Sequence, residues 1–188
     1  MYDSSDIRKN LKILIDGQPW VVVDFQFVKP GKGTAFTRTR IKNMITGAVL
    51  DKTFRSGEKL EPAEVEQVSA QYMYHEGEQY WFMDNSSYEQ FAVSAAQLGD
   101  QAQFLTENLV VNITMFQGQP VGIELPTFIE VQITKCEPGV RGDTASGGTK
   151  PATISSGALI QVPFHINEGD WVKVDTRDGR YVERINKR

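Results

Sequence analysis

Residues 11–28, LKILIDGQPWVVVDFQFV, set two short apolar runs on either side of an Asp-Gly pair. A run of four to ten β-branched and aromatic residues is a strand, and Asp-Gly between two of them is a hairpin turn whose glycine supplies a positive φ. The same grammar continues along the chain. AFTRTRIKNMI and GAVLDKTFR are further strands, and QYMYHEGEQYWFMD reads as two strands around Glu76-Gly77. NLVVNITMFQGQPVGIELP is a hairpin turning at Gly118, FIEVQITKCEP is a strand, and ALIQVPFHI precedes a last Asp-Gly hairpin, DWVKVDTRDGRYVERI. Only residues 86–108, SSYEQFAVSAAQLGDQAQFLTEN, read as helical, in short pieces broken near Gly99. Residues 139–157 read as a long loop of small residues, a length that is often functional. Short strands with regular turns predict an all-β chain of small barrels.

Charge divides the chain into three. Residues 1–64 hold 11 Lys/Arg against 8 Asp/Glu, residues 65–127 hold 8 Asp/Glu and no basic residue, and residues 128–188 hold 9 against 8. The overall charge of −4 argues against nucleic acid only if the chain is one uniform object. A 63-residue stretch without a single base predicts separate modules, some facing phosphate and one kept away from it. The predicted domains are 1–64, 65–127 and 128–188, with the first boundary in the polar segment SGEKLEPAEVE. No apolar run reaches the roughly 20 residues of a membrane span. The first residues, MYDSSDIRKN, lack the basic-then-apolar order of a secretory signal. One cysteine, Cys136, suits a reducing compartment. The expected setting is the cytoplasm, with no membrane partner.

VKPGKGTAF, residues 28–36, interrupts the strands with a lysine between two glycines. A phosphate-binding loop would need glycine at position 26, a hydroxyl residue after the lysine, and then a helix. Gln26, Gly33 and a following strand exclude that reading. Two alternatives stay open, an ordinary solvated turn and a loop built to present Lys32. Arg38, Arg40 and Lys42 recur every second residue and so share one face of the strand beyond the loop. They form either a solvated face or a surface that tracks RNA backbone, since Arg and Lys neutralise phosphates. Enzyme chemistry has no constellation to rest on. Cys136 ends a strand without an activating partner, and His75 and His165 lie ninety residues apart without metal spacing. No metal site or catalytic residue is expected.

At KPGKGTAF the chain resembles the bacterial translation elongation factor P family, in the type that carries Pro-Gly-Lys-Gly-x-Ala-Phe at the loop. The resemblance extends through Gly142-Asp143-Thr144 and Lys150-Pro151-Ala152 to Gly157, Ile160, Val162, Pro163, Ile166 and Gly169. It implies an SH3-like (KOW-like) N-terminal domain and two OB-fold domains in an L-shaped, tRNA-like arrangement. It implies a non-enzymatic, monomeric factor that binds the ribosome between the peptidyl and exit sites. There it would contact peptidyl-tRNA and ribosomal RNA and relieve stalling at consecutive prolines. Lys32, held by Lys29, Pro30, Gly31 and Gly33, would reach toward the peptidyl-transferase centre. Modification enzymes would extend Lys32 with a β-lysyl-type group, sometimes hydroxylated, and no separate cofactor is implied. Gly142, Asp143 and Thr144 would contact the messenger at the exit-site codon. Two rivals are an elongation-factor-P-like paralogue, whose tip differs, and a small-molecule-binding β-barrel, which would need a convergent polar site.

Overall fold

In the first sheet, Asp16 and Gly17 both take positive φ, 51° and 77°, the geometry whose twist matches the flanking strands. That turn joins β2 (Lys12–Ile15) to β3 (Gln18–Val28). With β1 (Tyr2–Asp3), β4 (Phe36–Asn43), β5 (Val49–Arg55) and β6 (Lys59–Pro62) they form a six-stranded antiparallel sheet in the order β1-β6-β2-β3-β4-β5. A computed structural model describes residues 1–138 and 148–186 of the chain. Ile7, Ile13, Val22, Ile41, Phe54 and Leu60 fill the core of this first module. Along β4 the inward row is Thr37, Thr39, Ile41 and Asn43, all buried. Thr39 is admitted there because its hydroxyl donates to the Lys52 carbonyl at 2.6 Å.

The second sheet comprises β7 (Glu66–Glu76), β8 (Gln79–Asp84), β9 (Gln90–Ser94), β10 (Val110–Phe116) and β11 (Gln119–Glu124). Its order is β11-β10-β7-β8-β9, and β9 lies against β11, which closes the barrel. Between β9 and β10 come a single helical turn, α1 (Ala95–Leu98), and a 3₁₀ stretch over Gly99–Phe104. The third sheet comprises β12 (Phe128–Cys136), β13 (Thr149–Ile154), β14 (Leu159–Pro163), β15 (Trp171–Asp175) and β16 (Arg180–Ile185). Its order is β14-β13-β12-β15-β16, and β14 meets β16. The chain is therefore all-β in three sheet modules, as its turn spacing predicts. No helix among the described residues is long and apolar enough to cross a membrane.

Two segments depart from the sequence reading. Residues 90–94, expected within the helical region, form β9 and pair with β8 over five residues. Phe91 and Val93 alternate inward there, and the open edge of β8 outweighs the weak helical pattern that follows. Residues 149–154, expected within the long loop, form β13. Its inward row is Lys150, Ala152 and Ile154, so a lysine occupies a core position and hides the alternation. The Lys150 ammonium is satisfied by the Glu137 carbonyl at the end of β12.

The modules share side chains across their borders. Met44 of the first joins Phe116 and Val121 of the second, with Ala63 between them. Phe104, from the 3₁₀ stretch of the second, is buried in the core of the third among Ile129, Val131 and Val172. Within the second core Phe82 is fully buried, its ring 5.6 Å from Tyr72 and 6.4 Å from Phe91. Phe82→Ala should destabilise that module by about 3–5 kcal/mol, since a cavity of ring size cannot collapse. Urea unfolding followed by Trp81 fluorescence reads the shift, and a loss under about 1 kcal/mol would contradict this packing.

Candidate nucleic-acid interface

β3 is eleven residues long, but β2 pairs only with Gln18–Val21. Val22 is covered by residues just before β2, exchanging hydrogen bonds with Asn10 and Leu11 at 2.8 and 2.9 Å. From Val23 onward β3 pairs with β4 alone among the described residues. A register shift between Val22 and Asp24 marks the departure, since a bulge bends its strand and strengthens the local twist. The remaining six residues carry β3 about 20 Å past its β2 partner, while β5 accompanies β4 out to the Phe36–Arg55 pair. Phe25 and Phe27 on this arm are 40% and 62% exposed because no further strand lies beside them.

Lys32 stands exposed at the end of the arm, as do Lys29, Gly31 and Gly33, with Pro30 half-buried. The loop is rooted by the Val28–Phe36 pair and by the Ser56 amide, which donates to the Ala35 carbonyl at 3.1 Å. Gly33 has φ of 104°, which side-chain-bearing residues rarely adopt, so glycine is required there by the turn itself. Gly31 is different. Its backbone lies outside the positive-φ range, and a Cβ would meet nothing within 4 Å. The chain's own packing therefore gives no reason for glycine at 31, whereas close approach of an outside surface would.

The outward row of β4 holds Phe36, Arg38, Arg40 and Lys42, as the period of two requires. Its members have different surroundings. The Arg38 guanidinium lies 5.5 Å from the Phe36 ring and stays exposed. Arg40 makes an exposed ion pair with Asp51 at 3.2 Å, so part of its charge is answered within the chain. Asp24, Gln26 and Thr53 complete a shallow pocket around these two arginines. Lys42 departs from the grouping made on the sequence. It is half-buried at the border with the second module, and its ammonium donates to the Gln97 carbonyl at 2.8 Å. Burial lowers its pKa from the ordinary lysine value, opposed by the nearby Asp100 carboxylate. Arg38 and Arg40 are presented outward, while Lys42 is engaged in the joint between modules. Nothing in the spacing distinguishes Lys42 from its neighbours.

Residues Gly142, Asp143 and Thr144 lie outside the described residues. Cys136 is half-buried against the third core and its thiol donates to the Ile166 carbonyl at 3.6 Å. His75 stacks on Tyr80 in the second module, with ring centroids 5.1 Å apart, and His165 is exposed on the third. No group of three or more His, Cys, Asp or Glu could hold a metal among the described residues. The acids of the second module serve local structure in part. The Asp84 carboxylate accepts from the amides of Ser86 and Ser87 at 2.7 and 3.1 Å, which holds its pKa below the usual value and shapes the turn before β9.

Three family descriptions match the chain in order. The elongation factor P (EF-P) KOW-like domain covers residues 3–60, the EF-P OB domain residues 65–123, and the elongation factor P C-terminal domain residues 123–184. Among curated relatives, elongation factor P of Pelotomaculum thermopropionicum is 48% identical over 98% of this chain and 100% of its own length. That of Thermoanaerobacter sp. is 49% identical over the same shares. That of Nocardia farcinica is 46% identical over 99% of this chain and 100% of its own. With all three modules matched in order and near-half identity from end to end, the chain belongs to the elongation factor P family of translation elongation factors.

Proposed function

We propose that this factor binds the ribosome in the cytoplasm as a monomer, between the peptidyl and exit sites, and places Lys32 beside the end of peptidyl-tRNA. The observation that carries this reading is Lys32 itself, a solvated cation at the tip of the β3–β4 loop, where β3 has run beyond its β2 partner. A cation on so narrow a mount suits a space lined by phosphates that a globular face could not enter. Arg38 and Arg40, just behind the tip, would track RNA backbone and contribute affinity without reading sequence. The basic first module would lie against tRNA and ribosomal RNA. Gly142, Asp143 and Thr144 would meet the messenger at the exit-site codon.

The reaction served is peptide-bond formation between consecutive prolines. Proline's ring fixes φ and leaves a secondary amine, so both partners of the reaction are confined to poor geometries. In this reading the factor is not an enzyme and makes or breaks no bond. It restrains the tRNA end and the nascent chain, lowering the entropy lost on reaching the transition state, while the ribosome performs the chemistry. Lysine's four-carbon stem is long but flexible. A β-lysyl-type extension of Lys32, added by modification enzymes, would lengthen its reach and add donors, and ordering it is offset only in a fitted RNA pocket.

Protein isolated from its native host should carry added mass on the peptide containing Lys32, read by peptide mass spectrometry, with the unmodified mass as the contrary result. Lys32→Ala should abolish rescue of proline-rich translation in a reconstituted system while leaving the melting temperature unchanged, because the side chain is solvated. Full rescue by that variant would reject the role of the tip. Arg38→Glu with Arg40→Glu should weaken ribosome binding and flatten its dependence on salt. Singly, Arg38→Glu should cost more than Arg40→Glu, whose partner Asp51 already answers its charge. Binding unchanged across salt would return this face of β4 to plain solvation.

A further inference from the structure

The arm is attached to the second module by more than its covalent linker. The Lys42 ammonium reaches across the border to the Gln97 carbonyl in the last turn of α1, at 2.8 Å. Carbonyls at a helix end have no partner within the helix, so this acceptor is available only at that place. The Gln97 side chain reaches back, its amide nitrogen donating to the Met44 carbonyl at 3.1 Å and to the Pro120 carbonyl at 3.4 Å. Its oxygen is occupied locally, accepting from the Ser94 amide at 3.0 Å to cap α1. Gly47 presses so close to α1 that a Cβ would stand 2.6 Å from the Ala96 carbonyl oxygen. Beneath these contacts lies the apolar patch of Met44, Ala63, Phe116 and Val121.

We infer that Lys42 and Gln97 are positioning residues that lock the β3–β4 arm to the second module and thereby fix where Lys32 is delivered. The inference rests on the reading that Lys32 acts by its position. Lys42 belongs to the same strand that runs out to the tip, so any tilt at the joint is amplified along β4. The tip lies about 25 Å from Lys42 at strand rise, and a tilt of about 10° would move it by about 4 Å. Positioning catalysis tolerates far less, since misplacement by about 1 Å can cost a hundredfold in rate. A joint held only by apolar contact could slide. Two hydrogen-bonded anchors, one in each direction, define a single angle.

The test uses the full-length chain with Lys42→Met, which keeps the stem and removes the donor, and Gln97→Glu. The second variant retains the oxygen that caps α1 and removes the donor to Met44 and Pro120. In a Cys136→Ser background, spin labels at Thr53→Cys on β5 and Ser86→Cys after β8 report the angle between the modules. Both variants should broaden the label-to-label distance distribution. At saturating factor, unlabelled variants should form Pro–Pro bonds roughly tenfold more slowly, with Lys32 modification unchanged by mass. The salt slope of ribosome binding should also stay at the wild-type value, because Lys42 meets no phosphate in this inference. A distribution as narrow as wild type, a broadened one with full rate, or a flattened salt slope for Lys42→Met would each overturn it. If Lys32→Ala loses rescue while both joint variants keep it, only the lock is wrong. Should Lys32→Ala also rescue fully, the reading beneath it fails as well.

Discussion

The register of β4 between β3 and β5 is the constraint on which the arm depends. Seven residues of β4, Phe36 to Lys42, are paired on both sides, and its inward row of Thr37, Thr39, Ile41 and Asn43 is buried. A slip of one residue would turn Arg38 and Arg40 into the core and Ile41 out to water. The cost of burying an unpaired guanidinium, set against the loss of a buried isoleucine, makes that register strongly specified. Every outward side chain on the arm inherits its direction from this inward row. The register shift at Val23 then carries β3 away from β2 while β4 and β5 stay beside it, so the ribbon that reaches the loop is three strands wide with one uncovered edge.

Small modules gain from sharing their borders. A domain of about 60 residues buries a smaller share of its surface than a larger one and is correspondingly marginal. Here Phe104 leaves the second module to fill the core of the third, and Met44 leaves the first to meet Phe116 and Val121. Such shared side chains couple the stability of neighbouring barrels. They also limit how freely one barrel can turn against the next, which matters for a factor whose working end lies far from its joints.

Much of this architecture was legible from local chemistry. Asp16-Gly17, Gln117-Gly118 and Asp178-Gly179 mark hairpins because positive φ at those glycines is cheap and local, independent of what packs around them. The period-two rows of β4 could likewise be read from Arg38 to Lys42. β9 could not, since Gln90–Ser94 runs straight into a helical turn and only the open edge of β8 selects the extended form. β13 was concealed for another reason. Its core row begins with Lys150, and a lysine becomes a core residue only when a carbonyl such as that of Glu137 waits for it.

The sequence by itself determined the all-β class, the three charge modules, the turns, and the exposed lysine between two glycines at residue 32. These follow from backbone sterics and side-chain periodicity, which act over a few residues. Tertiary structure alone decided that β3 outruns β2 and leaves Phe25 and Phe27 uncovered, that Gly33 but not Gly31 is required by its turn, and that Lys42 serves the joint. Those outcomes depend on what lies across the border of a strand or a module. Lys42 and Gln97 are 55 residues apart in the chain, and no local rule relates them until the two barrels meet.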